Sequence, residues 1–148
     1  MSQNISFIEK EITDALRNRQ EVKLSTLRML LSELRNTEID LRAKGTEVTE
    51  DVYYSVLKRE AKKRRESIEI FEKAGRVDLS DREKAELDVI NKYLPAQKSE
   101  AEVSAIIDQV IAENPTEKNF GLLMKKAMDA LKDTAEGSVV SKILKSKI

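Results

Sequence analysis

The side chains available for chemistry in this chain are amines, guanidiniums, carboxylates, hydroxyls and phenols, because the sequence contains neither His nor Cys. Imidazole and thiolate groups are the usual partners of catalytic nucleophiles and the common ligands of zinc. Carboxylates, Lys, Tyr and hydroxyls, or an oxygen-ligated Mg²⁺, remain for catalysis, and none forms a recognisable constellation here. We therefore expect no catalytic residue, no metal site and no cofactor.

The most concentrated charge lies in the run KREAKKRR, in which six of eight residues are basic and one is acidic. Basic clusters on a helix bind phosphates and release counterions. The spacing favours another interpretation, since Lys62 and Arg65 each have a glutamate four residues later and the helix can pair its own charges. As a candidate binding surface the run comprises Lys58, Arg59, Lys62, Lys63 and Arg65.

Arg64 differs from the rest of this run because it interrupts an apolar stripe. It lies three residues after Ala61 and four before Ile68, so it should point toward neighbouring helices, where an unpaired charge is costly. Antiparallel pairing with the preceding helix places it level with Met29 to Glu33, and Glu33 is the first-choice partner. The alternative is an arginine left open for a ligand.

A second positive region lies near the C-terminus, between Phe120 and Leu144. Gly121 opens a helix there, and a glycine at that place permits close approach of another helix, the commoner explanation, or of a phosphate. Asp129, Asp133 and Glu136 oppose the positive charge. The candidate contact residues of this region are Gly121, Lys125, Lys126, Lys132, Lys142 and Lys145.

The elements that position these residues are predicted to be helices. Charged residues make up 36% of the chain and aromatic residues 4%, which favours helices over a sheet. Ser-x-x-Glu capping boxes at Ser6, Ser80 and Ser99 predict three helix starts. Glycine or proline stands where most helical patterns stop. The prediction is an all-α fold of seven helices, with an N-terminal helical hairpin region and a small C-terminal three-helix domain.

Pro95 marks the predicted domain boundary, because the residue before a proline is pushed toward extended geometry. Residues 1–95 should form the N-terminal helical domain and residues 96–148 the C-terminal one, which is too small to be robust alone.

The charge balance and the termini suggest a soluble protein without a membrane partner. Lys plus Arg equals Asp plus Glu at 27 each, so any attraction for nucleic acid must come from a local patch. The N-terminus lacks the features of a signal peptide, and no apolar run approaches the roughly 18 residues of a membrane span. We expect a cytoplasmic protein.

The same segments carry a resemblance to a known family. The N-terminal motifs are Lys23 to Leu30 (KLSTLRML), Arg64 to Glu69 (RRESIE), Phe71 to Arg76 with Asp78 and Leu79, and Tyr93 to Gln97 (YLPAQ). The C-terminal motif comprises Gly121, Met124, Met128, Ala135, Gly137, Ser138, Val140 and Lys142 to Leu144. In order and spacing the chain resembles the YqeY family, free-standing relatives of the tail domain of the amidotransferase subunit GatB.

The resemblance implies a non-catalytic module that binds tRNA or accompanies an amidotransferase, with the lysines listed above as its RNA contacts. Its partners would be tRNA and an aminoacyl-tRNA or amidotransferase component. Any glutamine-dependent carbon–nitrogen ligase activity would come from that association. The alternative is a helical protein–protein interaction module without nucleic acid. Two departures bear on RNA contact: Asp133 and Thr134 replace the family's usual glycine and basic residue, and Lys125 replaces a small residue.

Overall fold

The computed structural model describes residues 1–132 and 134–148, in which the chain forms seven α-helices and no β-strand. The helices are α1 (Ser2–Arg17), α2 (Glu21–Ala43), α3 (Glu50–Lys73), α4 (Val77–Asn91), α5 (Glu100–Glu113), α6 (Phe120–Leu131) and α7 (Gly137–Lys147). The predicted all-α fold class is confirmed. Asp133, one of the departures from the family pattern, lies outside the described residues. The helices group into two compact units, Met1–Leu94 and Pro95–Ile148.

Helix starts show where local sequence decides and where it does not. Ser99 caps α5 as predicted, with its hydroxyl accepting from the Glu102 N–H and the Glu102 carboxylate accepting from the Ser99 N–H. The boxes at Ser6 and Ser80 are wrong. The left-handed Gly75 turns the chain from α3 into α4, which already begins at Val77. Ser80 is then buried inside the first turn, where its hydroxyl donates to the Val77 carbonyl.

The N-terminal unit packs α1 to α4 around one apolar core. Its fully buried side chains are Ile8, Leu27, Leu30, Leu34, Leu57 and Ile90. Helices α2 and α3 run antiparallel, since Arg59 meets Glu33 while Arg64, further along α3, meets the earlier Met29 of α2. Helix α4 packs against both α2 and α3, so these three helices contact one another pairwise.

The C-terminal unit consists of α5, α6 and α7, each of which packs against the other two. Its core includes Val103, Ile107, Leu123, Leu131, Val140 and Leu144. The Asn119 side chain caps α6 by accepting from the Leu122 N–H at 3.1 Å. The turn after α6 is joined to the start of the unit, because the Lys98 N–H donates to the Thr134 carbonyl at 2.7 Å.

Lys132, at the end of α6, has a strained backbone. Its φ of +52° and ψ of −127° form a combination that glycine adopts readily and residues with a side chain avoid. Hydrogen bonds hold the turn on both sides, from the Lys132 N–H to the Met128 carbonyl and from the Thr134 N–H to the Leu131 carbonyl. The surrounding contacts therefore impose this conformation on a side chain that disfavours it.

Replacing Lys132 by Gly should raise the free energy of unfolding of the C-terminal unit by about 1 kcal/mol. The substitution removes backbone strain of roughly 1–3 kcal/mol, and the added freedom of glycine in the unfolded chain offsets part of the gain. Lys125→Gly is the matched control: it removes the same charge from a helix interior and should lower stability by about 1 kcal/mol. Urea unfolding followed by circular dichroism measures both. Equal losses in the two variants would contradict strain at Lys132.

Candidate nucleic-acid surfaces and a buried ion-pair cluster

The predicted C-terminal lysines are all exposed, but they differ in what they contact. Lys125, Lys132 and Lys142 have no carboxylate partner among the residues that the structure describes. Lys126 donates to the Asn114 side-chain oxygen at the end of α5. The Lys145 ammonium lies over the Phe120 ring, 5.6 Å from its centroid. Three cations of this region are therefore free to meet an anionic partner, and a fourth is held only by an aromatic ring.

These lysines form a broad band and do not converge on one point. Lys145 lies beside Phe120 at the start of α6, whereas Lys132 follows its last residue, about 18 Å away along a helix of 12 residues. Lys125 and Lys126 point about 100° apart around α6. Lys142 and Lys145 are one turn apart on the same side of α7. Such a band suits contact with several phosphates of an extended backbone.

Gly121 serves the cap of its own helix. A Cβ at this position would meet the Asn119 Oδ1 atom at 3.2 Å, and no other atom would lie within 4 Å. The expected close approach of another helix is therefore not found. The missing side chain leaves room for the Asn119 cap and leaves the exposed start of α6 open to solvent.

The basic run from Lys58 to Arg65 is largely neutralised. Lys62 lies 4.0 Å from Glu66, and Lys63 lies 3.1 Å from Glu60. Arg59 reaches across to Glu33 of α2 at 3.6 Å. Lys58 and Arg65 have interaction partners as well. The helix thus pairs its charges, as the spacing favours, and a phosphate would have to displace carboxylates to bind here.

Arg64 belongs to a buried ion-pair cluster between α2, α3 and α4. Its side chain is only 13% exposed, and its Nη1 donates to the Glu60 Oε2 at 2.6 Å. Glu60 is itself 2% exposed, so this is a charge pair removed from water. The Arg64 Nη2 lies 3.7 Å from the Met29 sulfur. The inward orientation and the carboxylate partner are confirmed, but Glu33 as the first-choice partner is wrong. Glu60 lies four residues earlier on the same helix, so it can reach Arg64 however α2 and α3 pack against each other.

Helix α4 supplies the outer part of the cluster. Glu86 Oε2 lies 3.4 Å from the Arg64 Nε, whose buried N–H is not aligned for a hydrogen bond. Glu86 also pairs with Arg82 at 3.2 Å. Burial raises the pKa of Glu83, and the nearby Glu86 raises it further, while Arg64 and Arg82 oppose the rise.

The cluster balances its own charges: Lys63, Arg64 and Arg82 face Glu60, Glu83 and Glu86. A balanced cluster holds no excess positive charge for a phosphate, so Arg64 acts in packing and is not an arginine left open for a ligand. Sequence spacing alone could have identified Glu60, which lies four residues before Arg64. Glu86 could not be found in this way, since only the packing of α4 brings it near.

Within residues 1–132 and 134–148, no group of three or more acidic side chains is arranged to hold a metal ion. Over the same residues, no helix is both long enough and apolar enough to cross a bilayer.

Together these features describe an all-helical protein of two compact units, the first organised around a buried ion-pair cluster and the second presenting free lysines. The model of the family described as Yqey-like protein matches residues 5–148, and the chain belongs to that family. The resemblance noted in the sequence motifs is confirmed.

Several fungal proteins are similar to this chain. Altered inheritance of mitochondria protein 41, mitochondrial, of Lachancea thermotolerans is 31% identical over 112 residues, which cover 74% of this chain and 59% of that protein. The Saccharomyces cerevisiae protein of the same name is 29% identical over 131 residues, covering 88% of this chain and 62% of its own length. An uncharacterized Schizosaccharomyces pombe protein is 35% identical over 92 residues, which cover 62% of this chain and 72% of that protein. This chain thus spans less than two thirds of the first two relatives.

The expectation of a cytoplasmic protein is wrong in light of the Lachancea thermotolerans and Saccharomyces cerevisiae relatives, whose names describe mitochondrial proteins. The expectation rested on the missing signal peptide and the missing apolar span. Neither feature separates the cytoplasm from another aqueous compartment, so the error lies in the inference and not in the sequence features.

Arg64→Ala should lower the free energy of unfolding by about 3 kcal/mol, because it leaves Glu60 buried with only the half-exposed Lys63 as a partner. Lys62→Ala is the matched control from the same run: its side chain is 73% exposed, and the loss should stay below about 0.5 kcal/mol. Chemical denaturation of both variants gives the comparison. Losses of similar size would mean that the Glu60–Arg64 pair does not support the packing.

Proposed function

We propose that this protein is a non-catalytic tRNA-binding module and that α6 and α7 carry its RNA surface. The observation that supports this most directly is that Lys125, Lys132 and Lys142 are exposed and have no carboxylate partner among the described residues. Phosphate contacts supply most of the affinity of such binding, and each requires an available cation. The family resemblance supports the choice of tRNA and an association with an amidotransferase.

The distribution of charge within the C-terminal unit also supports an RNA surface on α6 and α7. From Phe120 to the C-terminus the sequence has six lysines and three acidic residues, whereas α5 has four acidic residues and no basic one. Phosphates would therefore be drawn to α6 and α7 and repelled from α5. The basic run of α3 is a weaker candidate, because its cations already have partners.

A helical protein–protein interaction module is the second candidate. An open groove of about 400 Å³ lies between α2 and α3, with Leu41, Val52 and Val56 among its lining residues and Arg59 near one end. Grooves between helices accept an amphipathic helix of a partner. Ile39, on α2, is 65% exposed and adds apolar surface to the same helix.

Replacing Lys125 and Lys142 together by Ala should weaken binding to different tRNAs to a similar extent, because phosphate contacts carry no sequence information. In a plot of the logarithm of the binding constant against the logarithm of the salt concentration, the negative slope should decrease in size by roughly 1 to 2. Fluorescence anisotropy with labelled tRNA at two salt concentrations measures both effects.

The matched control replaces Lys10 and Lys44 by Ala, which removes the same charge from exposed positions of the N-terminal unit outside the basic run of α3. Its binding should stay near that of the wild type. A variant with Arg59 and Lys63 replaced tests the rival surface. Loss of binding in that variant alone would move the site to α3. Absence of tRNA binding by the wild type at low salt would favour the protein-interaction function.

A further inference from the structure

Phe120 and Lys145 form an unusual pair at the start of α6. Phe120 is partly buried against the core of the C-terminal unit, and the Lys145 ammonium lies 5.6 Å from the centroid of its ring. An ammonium group keeps water around it, so the ring face that it covers is the face toward solvent. The protein thus holds an aromatic face at its surface, with the exposed Lys145 side chain over it.

The surface around this ring is exposed and partly apolar. Gly121 is exposed and carries no side chain, and no atom of another helix would lie within 4 Å of a Cβ at this position. Leu122, two residues after Phe120, is 48% exposed. The start of α6 is therefore accessible from solvent.

The charges near the ring are all positive along the adjoining helix. Helix α7 contains no Asp or Glu, and Lys142 lies one turn from Lys145 on the same side. Lys118, exposed just before α6, adds a further cation, and the neighbouring Glu117 carboxylate accepts from the Asn119 N–H at 2.8 Å. A flat ring between cations matches a nucleotide, in which a flat base lies between two phosphates.

We infer that Phe120 is a stacking platform for one unpaired base of a single-stranded RNA segment, with Lys142 and Lys145 holding the adjoining phosphates. This inference rests on the proposed function and deepens it by naming the part of the RNA that is recognised. On binding, the base takes the place of the Lys145 ammonium over the ring, and that ammonium moves to a phosphate. A base inside a duplex is stacked on its neighbours and cannot occupy this position.

The test compares an unstructured oligouridine with an RNA duplex on the full-length protein. Phe120→Leu keeps the apolar contact with the core but removes the flat ring, and Phe120→Tyr keeps the ring. The Leu variant should lose at least about fivefold in affinity for the oligouridine and should bind the duplex like the wild type. The Tyr variant should retain wild-type affinity for both. Ultraviolet crosslinking should join uridine to a peptide that contains Phe120.

Unfolding curves of both variants establish that the C-terminal unit is intact. The inference is overturned if the Leu variant binds oligouridine as well as the wild type does, or if its affinity for the two RNAs falls equally. It is also overturned if the crosslink maps to another peptide. Each of these results leaves tRNA binding in place, whereas failure of the wild type to bind any RNA removes the proposed function as well.

Discussion

The N-terminal unit depends on neutralising one buried carboxylate. Glu60 is 2% exposed, and an ionised carboxylate away from water costs several kcal/mol unless it is paired and hydrogen-bonded. Arg64 provides the pairing from the next turn of α3, but its guanidinium is itself buried and needs contacts on its other edges. Met29 of α2 and Glu86 of α4 provide them. The pair therefore constrains the register of three helices, which purely apolar contacts would specify less strictly.

The elements that could be predicted from the sequence are those set by local interactions. The helix starting after Ser99 was predictable because both capping hydrogen bonds form within one turn. The start of α4 was not, because Gly75 and the packing against α3 let the helix begin before Ser80. For Arg64, the gap in the apolar stripe predicted an inward side chain and the four-residue spacing could have identified Glu60, whereas the contact with Glu86 depended on how α4 packs against α3. Periodicity along one helix contains no information about that packing.

The two basic regions show why composition alone does not identify a binding surface. The run from Lys58 to Arg65 is the denser of the two in sequence, yet its cations face carboxylates one turn away or on α2. The C-terminal lysines are fewer per turn, but Lys125 and Lys142 have no such partner within the described residues. For a protein of zero net formal charge, the availability of single cations decides where an anion can bind.

The C-terminal unit also shows how exposed positive charge and a stable fold make different demands on the same helix. A glycine at position 132 would relax the turn after α6, but the chain keeps a lysine there in a conformation that disfavours its side chain. The turn must still bring the Thr134 carbonyl to the Lys98 N–H, so the strain is offset by contacts of the unit as a whole. A cation held at this cost extends the positive band to the far end of α6.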